Sequence, residues 1–489
     1  MNIVSVDLGT TNIKAAVYDS SVKLIDLVSE PVIYDRRGNM VEFDAEHYAN
    51  GIITLIRKAA QSGFIHNGQT VSQIILTGQA ESLVVLGEDN LPCYPGISWL
   101  DMRSEEECRE LSGVFTQDLL YRTTGQPDFI PTWPITKLLW LKHNKPDVFN
   151  RIRKVLLLKD YIIFRLCGNP VEEYAVASFS CYFDIVKKEY WSDILSYCGI
   201  SEDQLPVLVP SGSVAGTLLP GLASSDEGLT LQTKINAGTL DHFAGMIGTG
   251  SISPGFISES AGTVLSIAAL ADQPVFKGKL PNYCGPFPDS YVLLPVCESG
   301  GFSMEWYKNE FLKDVSYKEM NSALAHISGS SVPMFLPYLT GVNPPEYDPN
   351  IKGVFFGIRA EHTRFDMALG VMQGVACILR KNLDYMKEAG VQINKITTSG
   401  GGAKSDLWCQ IKCDITGFPI EVPSSEEAPC LGSAIMAAVS EGYFPDYDAA
   451  IRACVSLKKC FYPSNAAEAG KRYSLFCHLY QDLQECFRM

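Results

Sequence analysis

The sequence predicts an α/β protein built from two domains of about equal length. Short β-type runs end at polar, glycine-bearing turns, segments of helical period follow them, and the whole pattern restarts near residue 255.

Residues 3–6 form a short β-type run, and Asp7-Leu8-Gly9-Thr10-Thr11 is a turn before a second strand at 13–18. That is the pattern of a β-hairpin with a polar tip. Residues 45–61 carry helical periodicity. A buried strand at 74–76 ends at Thr77-Gly78-Gln79, and residues 136–143 and 154–166 read as helices. The Pro-, Gly- and Ser-rich stretch 207–221 reads as a linker or surface loop. A strand at 234–236 then enters Gly238-Thr239-Leu240-Asp241, and a helix runs towards Gly248.

The restart has the same grammar. Residues 256–258 lead into Ser260-Ala261-Gly262-Thr263, followed by a strand at 264–270. Gly-Thr and Ala-Ala recur here at the separation they have in Gly9-Thr10 and Ala15-Ala16, a weak repeat strengthened by its strand–turn–strand context. The expected domains are 1–250 and 251–489. A long helix at 368–388 places Val371, Val375, Ile378, Leu379, Leu383 and Met386 on one face and ends at Gly390. A strand at 395–397 enters Ser399-Gly400-Gly401-Gly402-Ala403-Lys404-Ser405. Residues 406–415 are then helical, and 433–441 form a helix of small residues.

Composition narrows the function. The chain is 46% hydrophobic and 19% charged, as in a globular protein with large cores. A net charge of −15 disfavours nucleic acid and anionic membranes as partners. None of the fifteen cysteines forms C-x-x-C, and Cys409 and Cys413, at helical spacing, read as buried thiols. The start of the chain lacks signal-peptide regions, and no apolar stretch is long enough to span a membrane. A cytoplasmic protein is expected.

Three segments could carry chemistry. In Asp7-x-Gly9-Thr10-Thr11-x-x-Lys14, Gly9 admits a phosphate close to the backbone. Thr10 and Thr11 add hydroxyl donors, Lys14 adds charge, and Asp7 could hold magnesium through water. The competing reading is an ordinary hairpin turn. Asp241, after Gly238, suits a base for a hydroxyl nucleophile, or equally an N-cap. Gly400, Gly401 and Gly402 before Ser405 let the backbone lie against a planar or anionic ligand at a helix N-terminus; a tight turn is the alternative. A polar–aromatic group of Gln79, Glu81, Trp99, Asp101 and Arg103 fits a sugar, whose C–H and O–H surfaces ask for both kinds of contact. Its alternative is a core tryptophan beside an exposed Asp101–Arg103 salt bridge. P-loop, zinc-protease and hydrolase-elbow motifs are absent, and the G-x-G-x-x-G match at Gly248 is incomplete.

Together these pieces resemble the FGGY family of carbohydrate kinases over nearly the whole chain. The resemblance is carried by the first hairpin, Gly78-Gln79, and Trp99-Leu100-Asp101-Met102-Arg103. It continues through Lys137-Leu138-Leu139-Trp140-Leu141, Lys159-Asp160-Tyr161, Gly238-x-x-Asp241 and Ser260-Ala261-Gly262-Thr263. Pro345-Glu346-Tyr347-Asp348-Pro349, residues 353–357 and the triple-glycine segment complete it.

The resemblance implies two ribonuclease-H-like, actin-like domains with a central cleft, the sugar mainly in the first and ATP across the cleft. Thr10, Thr11, Lys14, Gly262 and Thr263 would meet the phosphates. Gly301, Glu305, Gly401 and Ser405 would line the nucleoside, Asp7 would serve Mg²⁺, and Asp241 would be the base. Gln79, Glu81, Trp99, Asp101 and His242 would face the substrate, although His242 could instead cap its helix. Ala80-Glu81 departs from the Met-His of xylulokinases. Ala80 and Thr132 depart from the arginine and tyrosine of glycerol kinases, so the chain matches neither subgroup in these positions. Its overall length and spacing most resemble the xylulokinase and gluconokinase branch, which makes a pentulose the first expectation among related polyols and aldonic acids. A homodimer is compatible with this reading. The other classes weighed are a nucleotide-dependent switch of the actin superfamily and a pseudokinase.

Overall fold

Every residue of the strand Asn2–Leu8 is buried, as in a central strand covered on both faces. The computed structural model describes residues 1–489 except 263, 298, 330, 344 and 349. The calls on Thr263 and Pro349 therefore lie outside the described residues.

Asn2–Leu8 pairs antiparallel with Asn12–Tyr18 and parallel with Val71–Gly78, which pairs parallel with Lys234–Leu240. Leu24–Pro31 and Val214–Thr217 close the two edges of this six-stranded sheet. The second half repeats the arrangement. Phe256–Ala261 pairs antiparallel with Leu265–Ala271 and parallel with Lys395–Ser399, which pairs parallel with Ile420–Pro423. Tyr291–Leu293 and Leu457–Phe461 extend the flanks. The weak sequence repeat is thus a duplicated sheet, with both hairpins at corresponding places.

The helix Ala45–Asn67 covers the first sheet and stops at Gly68, whose φ of 71° closes the C-terminus. In the second half Arg364–Glu388 buries all six of its expected face residues in the main core. A separate core, drawn mainly from residues 80–205 and joined by Leu240, Phe243, Met246, Ala268, Tyr283, Val292 and Leu294, holds a helical region around Pro134–Asn144.

Two expectations are corrected. The helix expected at 154–166 begins as a strand, Lys154–Leu157, because Val155, Leu156 and Leu157 are buried in pairing with Leu83–Leu86. Only Leu158–Cys167 is helical. The expected linker at 207–221 contains Val207–Val209 and the edge strand Val214–Thr217, and its Pro-Ser-Gly run is a tight turn with Gly212 at φ 77°.

One helix crosses between the halves. Ala428–Ser440, late in the chain, packs its small residues against Ile3, Ala16 and Ile75 of the first sheet and Ile247 of the helix Asp241–Gly248. Among the described residues no helix is long and apolar enough to cross a membrane.

Candidate active site

The first hairpin needs glycine at its tip: a Cβ on Gly9 would stand 2.5 Å from the Asn12 carbonyl oxygen. Asp7, next to last in the preceding strand, stands directly opposite Lys14. Its carboxyl is buried, and Oδ1 has no hydrogen-bond partner. Burial first, then the nearby Asp241 carboxyl, pushes it up to about 7, against the pull of Lys14. The Lys14 ammonium is paired with Glu427, which immediately precedes the crossing helix. Thr11 is exposed, while Thr10 Oγ1 accepts a hydrogen bond from Trp99 Nε1 at 3.0 Å.

Asp241 follows a backbone that only glycine permits. Gly238 has φ 58°, and a Cβ there would stand 1.8 Å from the Leu76 carbonyl oxygen. Asp241 is the first residue of its helix, with Leu240 at the cap position, so it is not the N-cap. Its Oδ1 accepts from the His242 N–H at 2.6 Å, and it keeps partial exposure. His242 Nε2 reaches Ser266 Oγ, on the second sheet, at 3.4 Å. Asp241 therefore stands where the two halves meet.

The polar–aromatic group divides. Asp101 is fully buried, and its oxygens accept from Val41 N, Arg103 N, Arg103 Nε and an Arg103 terminal nitrogen at 2.6–3.0 Å. Two calls are corrected by this: no oxygen of Asp101 is left for a substrate, and the Asp101–Arg103 pair is buried rather than exposed. Arg103 also pairs with Glu42 at 2.8 Å. Gln79 is buried too. Its Oε1 accepts from Ser82 Oγ at 2.7 Å and its Nε2 faces the Leu8 and Gly9 carbonyls at 3.4 Å, so it braces the hairpin turn. Trp99 keeps partial exposure, anchored by its N–H on Ser82 Oγ.

Glu81 lies in electrostatic reach of Asp241, where the halves meet. Its φ of 67° is a left-handed conformation that costs about 1–3 kcal/mol in a non-glycine residue. Its side chain keeps some solvent contact, yet its carboxyl lies deep among protein atoms. That burial pushes the carboxyl up to about 8, opposed by Lys137 and a hydrogen bond from Thr132 and reinforced by Asp241.

Sequence reasoning missed three supporting residues. Ser82 links Gln79 to Trp99. Lys137 is fully buried and donates to the Thr132 and Ser98 carbonyls at 2.7 and 2.9 Å; burial lowers its ammonium to about 8. A lone lysine inside the apolar run Ile135 to Leu141 was the available signal. Glu427 lies 413 residues from Lys14 and left none.

The second half builds a facing wall. Strands Phe256–Ala261 and Lys395–Ser399 run parallel with Ser260 opposite Ser399, so the second hairpin and the triple glycine emerge side by side. Gly400 has φ 81°, and a Cβ there would stand 3.0 Å from the Ala261 carbonyl oxygen. The Gly301 N–H donates to the Gly262 carbonyl at 2.9 Å, which places the helix Gly301–Phe311 against the same hairpin. Glu305 is exposed on that helix. Ser405 caps Asp406–Thr416 by accepting from Trp408 N at 3.3 Å, and donates to Asn321 Oδ1 at 2.9 Å.

Two matching sheets, each opening with a glycine-bearing hairpin, thus flank a carboxylate where the halves meet. The family models for the N-terminal and C-terminal domains of the FGGY carbohydrate kinases match residues 2–248 and 259–441. The chain belongs to the FGGY family of carbohydrate kinases. It is a phosphotransferase with two domains of the actin-like ATPase fold.

Similar FGGY kinases include a xylulose kinase of Bacillus subtilis, 29% identical over 98% of this chain and 96% of that one. A xylulose kinase of Lactococcus lactis is 30% identical over 99% and 97%. A gluconokinase of Bacillus subtilis is 25% identical over 91% and 89%. Among solved structures, ligand-bound xylulose kinase from Lactobacillus acidophilus has a TM-score of 0.91 at 25% identity, covering 99% of this chain and 98% of that one.

The site of this FGGY kinase fits a divalent cation. Asp7 offers a buried oxygen without a partner, with Asp241 in electrostatic reach. No cluster of three metal-ligating side chains occurs among the described residues. Mg²⁺ keeps several waters and takes few protein ligands, so a carboxylate such as Asp7 would be enough to hold it.

Proposed function

We propose that this FGGY kinase transfers the terminal phosphoryl group of ATP to a hydroxyl of a neutral pentulose such as xylulose. The observation that carries the reading is the place of Asp241: at a helix start, in electrostatic reach of both Asp7 and Glu81, beside a histidine that touches the opposite half. Asp241 accepts the proton of the attacking hydroxyl as its oxygen bonds to phosphorus and the bond to the ADP oxygen breaks. Thr10, Thr11, Gly262 and Thr263 hold the phosphates. Gly301, Glu305, Gly401 and Ser405 line the nucleoside. Mg²⁺, when bound near Asp7, supplies positive charge to the phosphates. Glu81, Trp99 and His242 orient the sugar, and closure of the halves keeps water from the phosphoryl group. Residues 1–250 form the sugar side and 251–489 the nucleoside side.

Charge supports a neutral substrate. Asp241 disfavours ionisation of both Asp7 and Glu81, and it disfavours the carboxylate of an aldonic acid for the same reason. A carboxyl held near 8 stays protonated at neutral pH, so Glu81 both donates to and accepts from sugar hydroxyls. The xylulose kinases of Bacillus subtilis and Lactococcus lactis, similar over nearly their whole length, support the same reading.

The test is ADP release in the presence of xylulose, ribulose, gluconate, glycerol and erythritol. Stimulation by a pentulose is expected. A response confined to gluconate or to a polyol would replace the substrate, and silence across the panel would remove the activity.

A further inference from the structure

Lys14 has two carboxylates to choose from. Asp7 is its direct cross-strand partner, and such pairs have Cβ atoms about 4.5–5.5 Å apart. Glu427 comes from the far end of the chain. The ammonium is on Glu427, no Lys14–Asp7 ion pair is present among the described residues, and Asp7 Oδ1 is left without a partner.

The position of Glu427 is imposed by its helix. It precedes Ala428–Ser440 and makes no capping bond of its own, so its carboxylate is free for Lys14. The helix is seated on the first sheet along its length. At its other end Glu441 Oε1 accepts from Gln73 Nε2 at 2.8 Å and Lys234 Nζ at 3.0 Å. Both ends are thus tied to the first sheet. The Lys14–Glu427 pair is itself sheltered, with side chains 28% and 29% exposed.

We propose that Glu427 is a positioning residue: it holds the Lys14 ammonium away from Asp7 and so keeps the Asp7 carboxylate open to a divalent cation. The metal side of this rests on the reading of Asp7 given above. Without the Glu427 carboxylate, the ammonium turns to its cross-strand partner Asp7 and competes with the cation for the same oxygen.

The decisive experiment joins calorimetry to crystallography. Mg²⁺ titrated into ADP-saturated protein should bind about tenfold more weakly to Glu427→Gln, the size of loss typical for a residue behind a metal ligand. Removing the competitor should remove the effect, so Lys14→Met/Glu427→Gln should bind Mg²⁺ as Lys14→Met alone does. A purely structural role would leave the Glu427→Gln loss undiminished in the Lys14→Met background, and that result would overturn the proposal, as would wild-type Mg²⁺ affinity in Glu427→Gln. The metal-free crystal structure of Glu427→Gln decides the pairing independently. Lys14 Nζ within ion-pair distance of Asp7 supports the proposal; an ammonium in solvent or still at position 427 sinks it. A wild-type protein that binds no Mg²⁺ would refute the metal reading of Asp7, while the crystallographic result would still decide where the ammonium goes.

Discussion

Gly432 lies in backbone contact with Ala244: a Cβ on the glycine would stand 1.8 Å from the Ala244 carbonyl oxygen. The contact is reciprocal, since a Cβ on Gly248 would stand 2.0 Å from the Ala428 carbonyl oxygen. At these glycines the helices Asp241–Gly248 and Ala428–Ser440 meet backbone to backbone. One begins with Asp241 and the other follows Glu427, so their spacing sets the distance between two charged groups of the site. Gly432→Ala should force the crossing apart, cost about 1–3 kcal/mol of stability as overpacking does, and lower kcat/KM. Gly470→Ala, where a Cβ meets nothing within 4 Å, is the control and should be neutral or slightly stabilising. Urea unfolding of both variants checks this; equal midpoints would remove the crossing as a constraint.

Asp241→Asn keeps shape and removes the base. Turnover should fall by about 10²–10⁴, the usual share of general base catalysis, while ADP affinity stays near wild type. Turnover within a few-fold of wild type would end the assignment.

Glu81 makes stability depend on pH. Its carboxyl rises from 4.5 to about 8 on folding. Between those values the folded protein holds a proton that the unfolded chain has released, so raising the pH across this window costs stability. Above about 8 the penalty is constant. Glu81→Gln should therefore melt near wild type at pH 5 and higher than wild type at pH 8. Parallel melting curves at all pH values would contradict a buried, proton-holding Glu81.

Gly401 and Gly402 separate folding from ligand binding. A Cβ on Gly401 meets only the Ala261 carbonyl oxygen, at 3.9 Å, whereas one on Gly402 would stand 2.8 Å from Ala261 Cβ. Gly401→Val should fold normally yet bind ADP at least about tenfold more weakly, because the added bulk stands where the nucleotide approaches. Gly402→Val should lose stability as well. Calorimetric titration with ADP, beside a melting curve, distinguishes the two.

Lys412 and Glu259 form a buried pair beneath the second hairpin. Nζ lies 2.6 and 2.8 Å from the two carboxylate oxygens, and both side chains are essentially unexposed. Lys412→Met leaves Glu259 charged and alone, at a cost of about 3–5 kcal/mol. Recovery of most of that loss in Lys412→Met/Glu259→Gln would show that the unpaired charge, rather than lost packing, is responsible.

Local pattern carried most of the architecture. Both hairpins, the triple-glycine turn and the face of the long helix were legible, because strand and helix periods and glycine-only backbone are written within a few residues. The strand Lys154–Leu157 was misread as helix because a short apolar run has no period of its own, and its pairing with Leu83–Leu86 is remote in sequence. Gln79 and Asp101 looked like sugar ligands because residue type shows hydrogen-bonding capacity. It does not show whether Ser82, Val41 and Arg103 already use that capacity.

Chain order and residue type alone thus specified a duplicated α/β kinase with glycine-tipped hairpins and an aspartate after the turn at Gly238. Only the folded chain decided which charges meet. Lys14 sits on Glu427, His242 touches Ser266, and Lys137 lies buried beside Glu81. The reason is range: backbone preference and side-chain period act over a few residues, whereas an ion pair or a desolvated carboxyl depends on distances of a few ångströms between segments as far apart in the chain as Lys14 and Glu427.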